Sequence, residues 1–381
     1  MMRVGVVVPH FGQAVYLERC LRSLLAQSRP ADAIVVIDSS PDRTGGIIER
    51  FAGCLTYRVS PPRGVAAARN LGLELLDTEL VSFLDADNEA ARDMLARQVA
   101  AHEAAPAVSF VHGDLVPIDS TGRASRAVPV YGSEAVPVDE QMGWLLERNR
   151  VATDTVCARR DAISRLGGFC EEPGVREDYD LWLRLAAAGP IRYLPAPLAR
   201  YRRHDSNLSN DQHYMFAWEA GALRRQDWTT SVDALARRFR HASDFQLACA
   251  ELRLRRQEPE EAVGLLRTIL RNTGDARAAF HLAHLAIDAA RWSEAVAWLT
   301  PALAARPADA GLWNNLGVAA LHLARRDTAA VAFTRAVELL PVYEDARVNR
   351  DALLVEAIPV NGWRVTRRRL RDTVLPLSAA A

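Results

Sequence analysis

The sequence contains no lysine, and its 47 basic residues are all arginine, balanced by 47 acidic residues to a formal net charge of +0. Without net charge the chain has no overall field that would attract nucleic acid or an anionic membrane, so neither partner is expected. Its five cysteines are scattered and include no Cys-x-x-Cys pair, which argues against a disulfide framework or a thiolate metal site. No apolar run reaches the roughly 18 residues that a membrane-spanning helix needs. We therefore expect a cytoplasmic protein without an integral membrane segment.

Glycine-rich phosphate-binding loops are also missing. No G-x-G-x-x-G follows the first apolar run, which argues against a dinucleotide-binding enzyme. The loop at that place reads Pro9-His10-Phe11-Gly12, which does not fit the glycine-rich loop of a sugar-phosphate nucleotidyltransferase. Arginines concentrate near the C-terminus, and we interpret that cluster as the solvated face of a terminal helix. Its members are Arg364, Arg367, Arg368, Arg369 and Arg371.

Residues 1–210 alternate short apolar runs with helical patterns, which predicts an α/β domain with a mostly parallel sheet. The predicted strands are Arg3–Val8, Ala33–Ile37, Cys54–Val59 and Leu80–Leu84. The predicted helices are Ala14–Gln27, Thr44–Ala52 and Val65–Leu76. Loops that follow successive parallel strands gather at one sheet edge. We therefore expect the segments that begin at Pro9, Asp38 and Asp85 to form one crevice.

One apolar run ends in Asp85-Ala86-Asp87. Because the side chains of an extended segment alternate between faces, the two carboxylates point the same way. Mg²⁺ and Mn²⁺ prefer oxygen ligands and are commonly held by one or two carboxylates together with phosphate oxygens of a substrate. By itself the motif also fits solvated loop acids or a helix N-cap. Its meaning therefore depends on the neighbouring motifs.

Beyond residue 244 the sequence is rich in alanine, leucine and arginine with a helical period. One segment follows the spacing of a tetratricopeptide repeat, in which small residues allow two helices to pack closely. Its matching residues are Trp313, Leu316, Gly317, Ala329, Phe333, Ala336 and Pro341, and the same slots one period earlier hold Leu282, Ala283, Ala295, Leu299, Ala302 and Pro307. We predict about three repeats over residues 244–356, a helical linker over 211–243 and a C-terminal tail over 357–381.

Several further motifs follow one another in a fixed order along the first domain. They are Val7-Val8-Pro9, Val35–Ser40 with Asp42 and Thr44, Gly64–Asn70, Phe83–Asp87, Leu166–Phe169, Glu177–Leu185 and Tyr201–His204. In order and spacing they resemble a family 2 glycosyltransferase of the GT-A fold, over residues 3–210. The resemblance implies a Rossmann-like GT-A domain, a nucleotide-diphosphate sugar as donor, and Mn²⁺ or Mg²⁺ as cofactor.

The resemblance also assigns nucleotide contacts. It places Asp38 against the base and Arg69 against the nucleotide, although a surface ion pair is the alternative for Arg69. Many relatives carry two acids where this chain has Ile37-Asp38, which leaves the choice of nucleotide open. Three further residues of the matching segments are expected to line the nucleotide-sugar site: Pro9, Phe11 and Ala86.

Metal binding and catalysis fall on five residues by the same resemblance. Asp85 and Asp87 are expected to hold the metal ion against the sugar diphosphate, with Asp87 as the direct ligand and Asp85 nearer the sugar and ribose. His204 is expected to complete the ion's coordination shell, and an exposed loop histidine is the alternative. Asp178 resembles the base that takes a proton from the acceptor, and Glu177 places a like charge beside it. Both acids also suit the first turn of a helix, where the dipole favours negative charge.

The predicted reaction is metal-dependent, inverting transfer of a sugar, with a UDP-hexose as the expected donor. Helical repeats present concave surfaces that suit extended peptides, so a Ser, Thr or Cys side chain of a peptide or protein is the expected acceptor. Alternatively, the repeats form a homodimer and the enzyme acts on a polysaccharide or a small molecule. A catalytically inactive repeat scaffold is the third interpretation, against which the intact Asp85, Asp87, Asp178 and His204 argue.

Overall fold

The computed structural model describes residues 1–40, 44–124, 136–207, 212–355 and 362–366. The chain divides into two compact units, Met1–Arg240 and His241–Ala381. Asp42 of the second-strand motif lies outside the described residues, as does the C-terminal arginine cluster apart from Arg364. Of the predicted C-terminal tail, residues 362–366 are described.

The first unit is built on an eight-stranded sheet. Its strands are β1 (Val4–His10), β2 (Ala33–Asp38), β3 (Thr56–Val59), β4 (Leu80–Phe83), β5 (Glu89–Ala90), β6 (Phe110–Ile118), β7 (Cys157–Arg159) and β8 (Ile191–Arg202). Their order across the sheet is β3-β2-β1-β4-β7-β6-β8-β5. Strands β3, β2, β1 and β4 run parallel, as do β6 and β8.

The α/β architecture is therefore confirmed. Most pairings among the described strands are parallel, as predicted, but the sheet also contains antiparallel pairings that the sequence did not indicate. Strand β7 pairs antiparallel with β4 and β6, and β5 pairs antiparallel with β8. These two strands have only three and two residues. Such short segments show no hydrophobic period, so the sequence pattern could not reveal them.

Helices cover the sheet of the first unit. They are α1 (Ala14–Leu25), α2 (Gly45–Ile48), α3 (Val65–Glu74), α4 (Met94–Ala104), α5 (Gln141–Glu147), α6 (Arg160–Arg165), α7 (Glu177–Ala188), α8 (Gln212–Arg224) and α9 (Trp228–Arg238). Helices α8 and α9 fall in the segment predicted as a linker, and the structure groups them with the first unit. In the part of the chain that the structure describes, no helix combines the length and apolar character needed to cross a bilayer.

Strand β1 lies inside the sheet, and all seven of its residues are buried. A strand covered on both faces reads as an unbroken apolar run, which explains the sequence Val-Gly-Val-Val-Val. Helix α3 lies directly on this strand, because a Cβ at Gly72 would come within 2.4 Å of the Val7 side chain. The close packing brings the N-terminal half of α3, with Arg69, towards the carboxyl end of β1.

Helix α7 places one face in the core of the first unit. Trp182 is fully buried, and its ring lies 5.3 to 6.4 Å from those of Phe110, Phe169 and Phe83. Aromatic contacts at these distances stabilise a packed core. The N-terminal turn of α7 is thereby held rigidly beside the sheet.

The second unit, in its described part, is helical. Its helices are α10 (Ala242–Arg255), α11 (Pro259–Thr273), α12 (Ala276–Asp288), α13 (Trp292–Ala305), α14 (Ala310–His322), α15 (Arg326–Leu339) and α16 (Glu344–Leu354). Helices α10 and α11, α12 and α13, and α14 and α15 pack as successive hairpins. The turns of these hairpins contain Gln257, Ala290 and Ala324, with φ of 61°, 54° and 57° and intervals of 33 and 34 residues.

Small residues allow the helices of each hairpin to approach closely. A Cβ at Gly317 would lie 2.5 Å from Cε1 of Phe333, so α14 and α15 touch at this point. The alanines of the predicted repeat pattern are likewise buried: Ala283, Ala295, Ala302, Ala329 and Ala336.

Candidate active site

The carboxyl ends of β1 and β2 hold a buried polar cluster around Asp38. Its Oδ1 accepts a hydrogen bond from the Ser40 backbone N–H at 2.9 Å and lies 3.0 Å from His10 Nδ1. Its Oδ2 accepts hydrogen bonds from the Tyr57 hydroxyl at 2.6 Å and from the Thr44 hydroxyl. Burial raises the pKa of Asp38, but these hydrogen bonds outweigh it and hold the pKa of this carboxyl well below its usual range.

Arg69 connects two of the predicted motifs. Its Nη2 donates to Asp85 Oδ1 at 2.8 Å, and its Nη1 donates to Glu177 Oε1 at 2.7 Å. The residue is 3% exposed, and its guanidinium lies 5.5 Å from the centre of the Phe169 ring. The structure therefore brings the Asp-x-Asp turn and the start of α7 together through one buried cation.

Burial and charge work against each other in this bridge. Burial lowers the pKa of Arg69, but the neighbouring carboxylates, led by Asp85 and Glu177, outweigh it and raise that pKa. Burial, followed by the charge of Asp178, raises the pKa of Glu177 against the attraction of Arg69. A buried guanidinium with two carboxylate partners stays charged, so Arg69 supplies a fixed positive charge to the crevice.

Asp87 and His204 form the second contact of the Asp-x-Asp turn. Asp87 Oδ2 lies 3.1 Å from His204 Nε2, whereas Asp87 Oδ1 is buried and has no hydrogen-bond partner among the described residues. The His204 ring stacks on Tyr16, with centroids 5.3 Å apart. Burial, followed by the charge of Asp85, raises the pKa of Asp87.

The predicted metal ligands are only partly convergent. Asp87 and His204 touch, but Asp85 is directed to Arg69. Within the described residues no group of three or more His, Cys, Asp and Glu side chains gathers as a metal site. Of the three predicted metal ligands, Asp87 and His204 are therefore the two that the structure brings into contact.

A buried acid that the sequence analysis did not identify supports the Asp-x-Asp turn. Asp154 Oδ1 accepts the Asp85 backbone N–H at 2.8 Å, and its Oδ2 accepts from Asn88 Nδ2 at 2.9 Å. Burial, followed by the charge of Asp85, raises the pKa of Asp154 well above its usual range. It lies in the short 3₁₀ turn Thr153–Thr155, where no sequence spacing points to it.

Arg202 fixes the same turn from β8. Its Nε donates to the Asp87 carbonyl at 2.8 Å, and its Nη2 donates to Glu89 Oε1 at 2.6 Å. Its backbone N–H donates to Asn88 Oδ1 at 2.8 Å. The sequence motif around His204 contains Arg202, but only the folded chain shows that this buried arginine supports the carbonyl of Asp87.

Asp178 lies in the first turn of α7, as predicted for an acid at a helix start. Its Oδ2 accepts from the Thr153 hydroxyl at 3.0 Å, and its Oδ1 accepts from Arg176 Nε at 3.1 Å. The side chain is 14% exposed. The carboxylate is thus oriented by two side chains while keeping access to solvent.

Asn70, beside Arg69, holds the Gly-Gly-Phe segment against α3. Its Nδ2 donates to the Phe169 carbonyl at 2.9 Å, and its Oδ1 accepts the Phe169 N–H at 2.8 Å. Gly168 has φ of 78°, and a Cβ there would lie 2.6 Å from Asn70 Oδ1. This segment therefore needs glycine both for its backbone conformation and for the close approach of Asn70.

The remaining predicted residues lie around the same edge of the sheet. Pro9 is buried in β1, Phe11 follows that strand and is 60% exposed, and Ala86 is buried between the two acids. Asp38 and Arg69, both assigned to the nucleotide by resemblance, have separate sets of partners. The predicted crevice thus contains two clusters of polar side chains, one around Asp38 at the end of β2 and one around Arg69 between α3, β4 and α7.

Comparison with known proteins shows which families and structures this chain is similar to. The model of the family described as Glycosyl transferase family 2 matches residues 5–167. A putative teichuronic acid biosynthesis glycosyltransferase of Bacillus subtilis is 27% identical over 219 residues, which cover 55% of this chain and 82% of that protein. A poly(ribitol-phosphate) beta-N-acetylglucosaminyltransferase of Staphylococcus aureus is 30% identical over 136 residues, which cover 34% of this chain and 23% of that protein.

The fold has solved counterparts as well. The crystal structure of residues 1–349 of TarS from S. aureus, in complex with UDP-GlcNAc, matches with a TM-score of 0.51 at 14% identity. The match covers 94% of this chain and 93% of that one. At this identity the likeness concerns the fold alone. The family match and the named relatives identify this chain as a glycosyltransferase that is similar to family 2 over residues 5–167.

Proposed function

We propose that this chain transfers a sugar from a UDP-sugar to an acceptor by a metal-dependent, inverting reaction. The observation that carries the proposal is the bridge of Arg69 between Asp85 and Glu177. It places the motif expected at the donor beside Asp178, the expected base. The structural counterpart in complex with UDP-GlcNAc supports UDP-sugars as the class of donor.

In the proposed reaction an acceptor oxygen attacks the anomeric carbon while Asp178 takes its proton. The bond between that carbon and the diphosphate oxygen breaks in the same step, and the nucleoside diphosphate leaves with the electron pair. A single displacement inverts the anomeric configuration. Asp178 suits the role because Thr153 and Arg176 orient its carboxylate without burying it completely.

Asp87 and His204 are the residues proposed to hold the divalent ion. In the part of the chain that the structure describes, Asp87 Oδ1 is buried without a hydrogen-bond partner. This arrangement costs free energy unless a cation or a donor satisfies the oxygen. Carboxylate oxygen suits Mg²⁺ and Mn²⁺, and an imidazole ligand favours the transition metal of the two. Such an ion would neutralise the charge that develops on the leaving diphosphate. Asp85, which contacts Arg69, is assigned to the sugar and ribose instead.

The proposed acceptor is a peptide or protein docked by the second unit. Its hairpin turns recur at 33 and 34 residues, which agrees with the 34-residue tetratricopeptide period. Stacked repeats of this kind present an extended surface. A polymer acceptor is the second candidate, because the relatives are named for teichuronic acid and poly(ribitol-phosphate).

The test is release of nucleoside diphosphate from a panel of UDP- and GDP-sugars, with Mn²⁺, Mg²⁺ or a chelator. Wild type is compared with Asp87→Ala and with Asp93→Ala, which removes a 42% exposed carboxylate paired with Arg97. We expect metal-dependent turnover of one UDP-sugar that is lost in Asp87→Ala and kept in Asp93→Ala. Absence of both turnover and donor binding in the folded wild type would overturn the proposal.

A further inference from the structure

Residues 362–366, here called the docked segment, run along the second unit and are gripped by side-chain amides. Asn349 Nδ2 donates to the Arg364 carbonyl at 2.8 Å, and its Oδ1 accepts the Arg364 N–H at 2.8 Å. Asn315 makes the same pair of hydrogen bonds two residues further along: its Nδ2 donates to the Thr366 carbonyl at 3.0 Å, and its Oδ1 accepts the Thr366 N–H at 2.7 Å. Each amide thus satisfies the complete backbone of one residue, as a neighbouring β-strand would.

Asn315 and Asn349, here called the asparagine pair, occupy equivalent places in the unit. They lie 34 residues apart, one hairpin interval, on α14 and α16, the first helix of one hairpin and its counterpart in the next. Both are fully buried. A periodic helical stack has therefore placed two backbone-binding amides at the spacing of alternate residues in an extended chain.

Trp363 and Val365, which alternate with the two residues bound through their backbone, contact an apolar surface. The Trp363 ring stacks on Phe333, with centroids 6.1 Å apart and planes 14° from parallel. Val365 packs against the clusters that contain Val318 and Ala319. The surface therefore selects a bulky apolar side chain at two alternate positions. Between them, Arg364 Nη1 donates to Glu344 Oε1 at 2.9 Å and lies 3.5 Å from Asp345 Oδ1. Because these ion pairs are exposed to solvent, they contribute little and select the residue at this position only weakly.

The last residue of the docked segment adds a hydroxyl contact. Thr366 Oγ1 accepts from Asn314 Nδ2 at 3.1 Å and also contacts the Tyr343 hydroxyl. Thr366 is 3% exposed. A buried polar pocket of this kind favours a hydroxyl side chain over an apolar one. The pattern that the surface accepts is aromatic, any residue, aliphatic, then Ser or Thr.

We infer that this surface is a binding site for an extended peptide of another molecule, and that the docked segment occupies it as an intramolecular competitor. The inference deepens the proposed peptide acceptor and rests on it for the peptide's role. Backbone contacts through side-chain amides do not depend on the gripped residue's type, so an external peptide with the same pattern makes the same bonds.

Binding is tested in the full chain with a fluorescein-labelled synthetic peptide that carries Trp-Ala-Val-Thr between Gly-Ser flanks. The variant Trp363→Ala/Thr366→Pro weakens the docked segment, because it removes the stacked ring, the hydroxyl and the N–H bonded to Asn315. We expect this variant to bind the probe at least tenfold more tightly than wild type. The tenfold gain in affinity should be absent with a scrambled probe. It should also be absent when Asn315→Ala/Asn349→Ala is added to the variant. Circular dichroism and thermal melting establish that each variant is folded.

Hydrogen exchange tests the same inference in the unmodified chain. We expect saturating probe to increase exchange at residues 362–366, where the Arg364 and Thr366 amides lose the asparagine pair as acceptors. Unchanged exchange, or equal probe affinity with and without the asparagine pair, would show a permanent structural contact and overturn the inference. No sugar donor is present in either assay. Failure of peptide glycosylation with intact probe binding would therefore count against the proposed function alone.

Discussion

At the scale of single residues, the site depends on how buried charges find partners. Arg69 is almost fully buried and has two carboxylate partners. Asp87 has one oxygen paired with His204 and one that has no hydrogen-bond partner within the described ranges. Removing a partner from a buried ion pair costs more than the pair itself contributes, because an uncompensated charge remains. Substitution of Arg69 is therefore expected to disturb folding as well as turnover, which makes it a poor probe of mechanism.

Asp178→Asn is the sharper probe of the chemistry. The amide keeps an oxygen for the Thr153 hydroxyl, but it cannot accept a proton from the acceptor. We expect transfer to a hydroxyl acceptor to fall by about 10²-fold or more, while the KM for the donor stays within a factor of about two. Steady-state kinetics with varied donor and fixed acceptor measure both quantities.

The matched control is Asp161→Asn, which changes a 63% exposed carboxylate paired with Arg165 on α6. It should leave both constants unchanged, since exposed pairs contribute little. Turnover at the wild-type rate in Asp178→Asn would remove this residue from the role of base.

His112 makes the stability of the first unit depend on pH. It lies on β6, with the rings of Trp144 and Tyr193 centred 6.1 and 5.5 Å away. Burial lowers the pKa of His112 from 6.5 to about 4. Between these values the unfolded chain binds the proton and the folded chain does not, so the free energy of unfolding falls as the pH is lowered from 6.5 to 4.

The corresponding prediction compares wild type with His112→Phe, which keeps an aromatic ring in the cluster. Denaturant unfolding at pH 7 and pH 4.5, followed by tryptophan fluorescence, should show a smaller loss of stability in the variant. The difference is expected to approach about 2 kcal/mol, from 1.36 kcal/mol per pKa unit. Equal losses in the two proteins would show that His112 is not the group that titrates.

At the scale of elements, the second unit repeats a strained turn. Gln257, Ala290 and Ala324 all have positive φ between the two helices of a hairpin. Residues with a Cβ pay roughly 1–2 kcal/mol in this region, whereas glycine adopts it without that cost. The helical period and the repeats follow from the sequence, but the left-handed conformation at these three non-glycine residues does not.

Ala290→Gly is therefore expected to stabilise the second unit by about 0.5 kcal/mol, the relief of strain less the added backbone entropy of glycine. The matched control is Ala297→Gly in α13, at an exposed alanine inside a helix. That change should destabilise the unit by about 1 kcal/mol. Urea unfolding followed by far-ultraviolet circular dichroism compares them, and two shifts of the same sign would contradict the prediction.

Asp154, in a short element of the first unit, has no recognisable signal in the sequence. The motifs at the ends of β1, β2 and β4 were located from their apolar runs. Asp154 was not, because it lies in a 3₁₀ turn of three residues and acts through the backbone of Asp85. A residue that supports a site through another residue's backbone has no characteristic residue type or sequence spacing by which it could be identified.

At the scale of the whole molecule, the chain combines a unit that matches the family 2 glycosyltransferase model over residues 5–167 with a unit that is helical in its described part. A chain that ends after Arg240 tests whether the first unit acts on the donor and the second unit binds the acceptor. We expect it to hydrolyse the donor at a rate within a few-fold of the full chain, since every residue of the candidate site lies in the first unit. Transfer to peptide acceptors is expected to be lost.

Donor hydrolysis and peptide transfer are measured on the same preparations, with thermal melting to establish that the shortened chain is folded. If the folded, shortened chain modified every peptide as well as the full chain, the acceptor role of the second unit would be wrong.

The α/β character of the first unit and the helical period of the second can be read from the sequence alone, as can the acids and the arginine of the candidate site. These features depend on local pattern: alternation, helical period and residue type at fixed spacing. Three sets of contacts become visible in the folded chain: Arg69 joins Asp85 to Glu177, Asp154 and Arg202 support the Asp-x-Asp turn, and the asparagine pair binds the backbone of residues 362–366. Most of these contacts join residues far apart in the chain, and even the nearest of them depend on how buried groups find partners after packing.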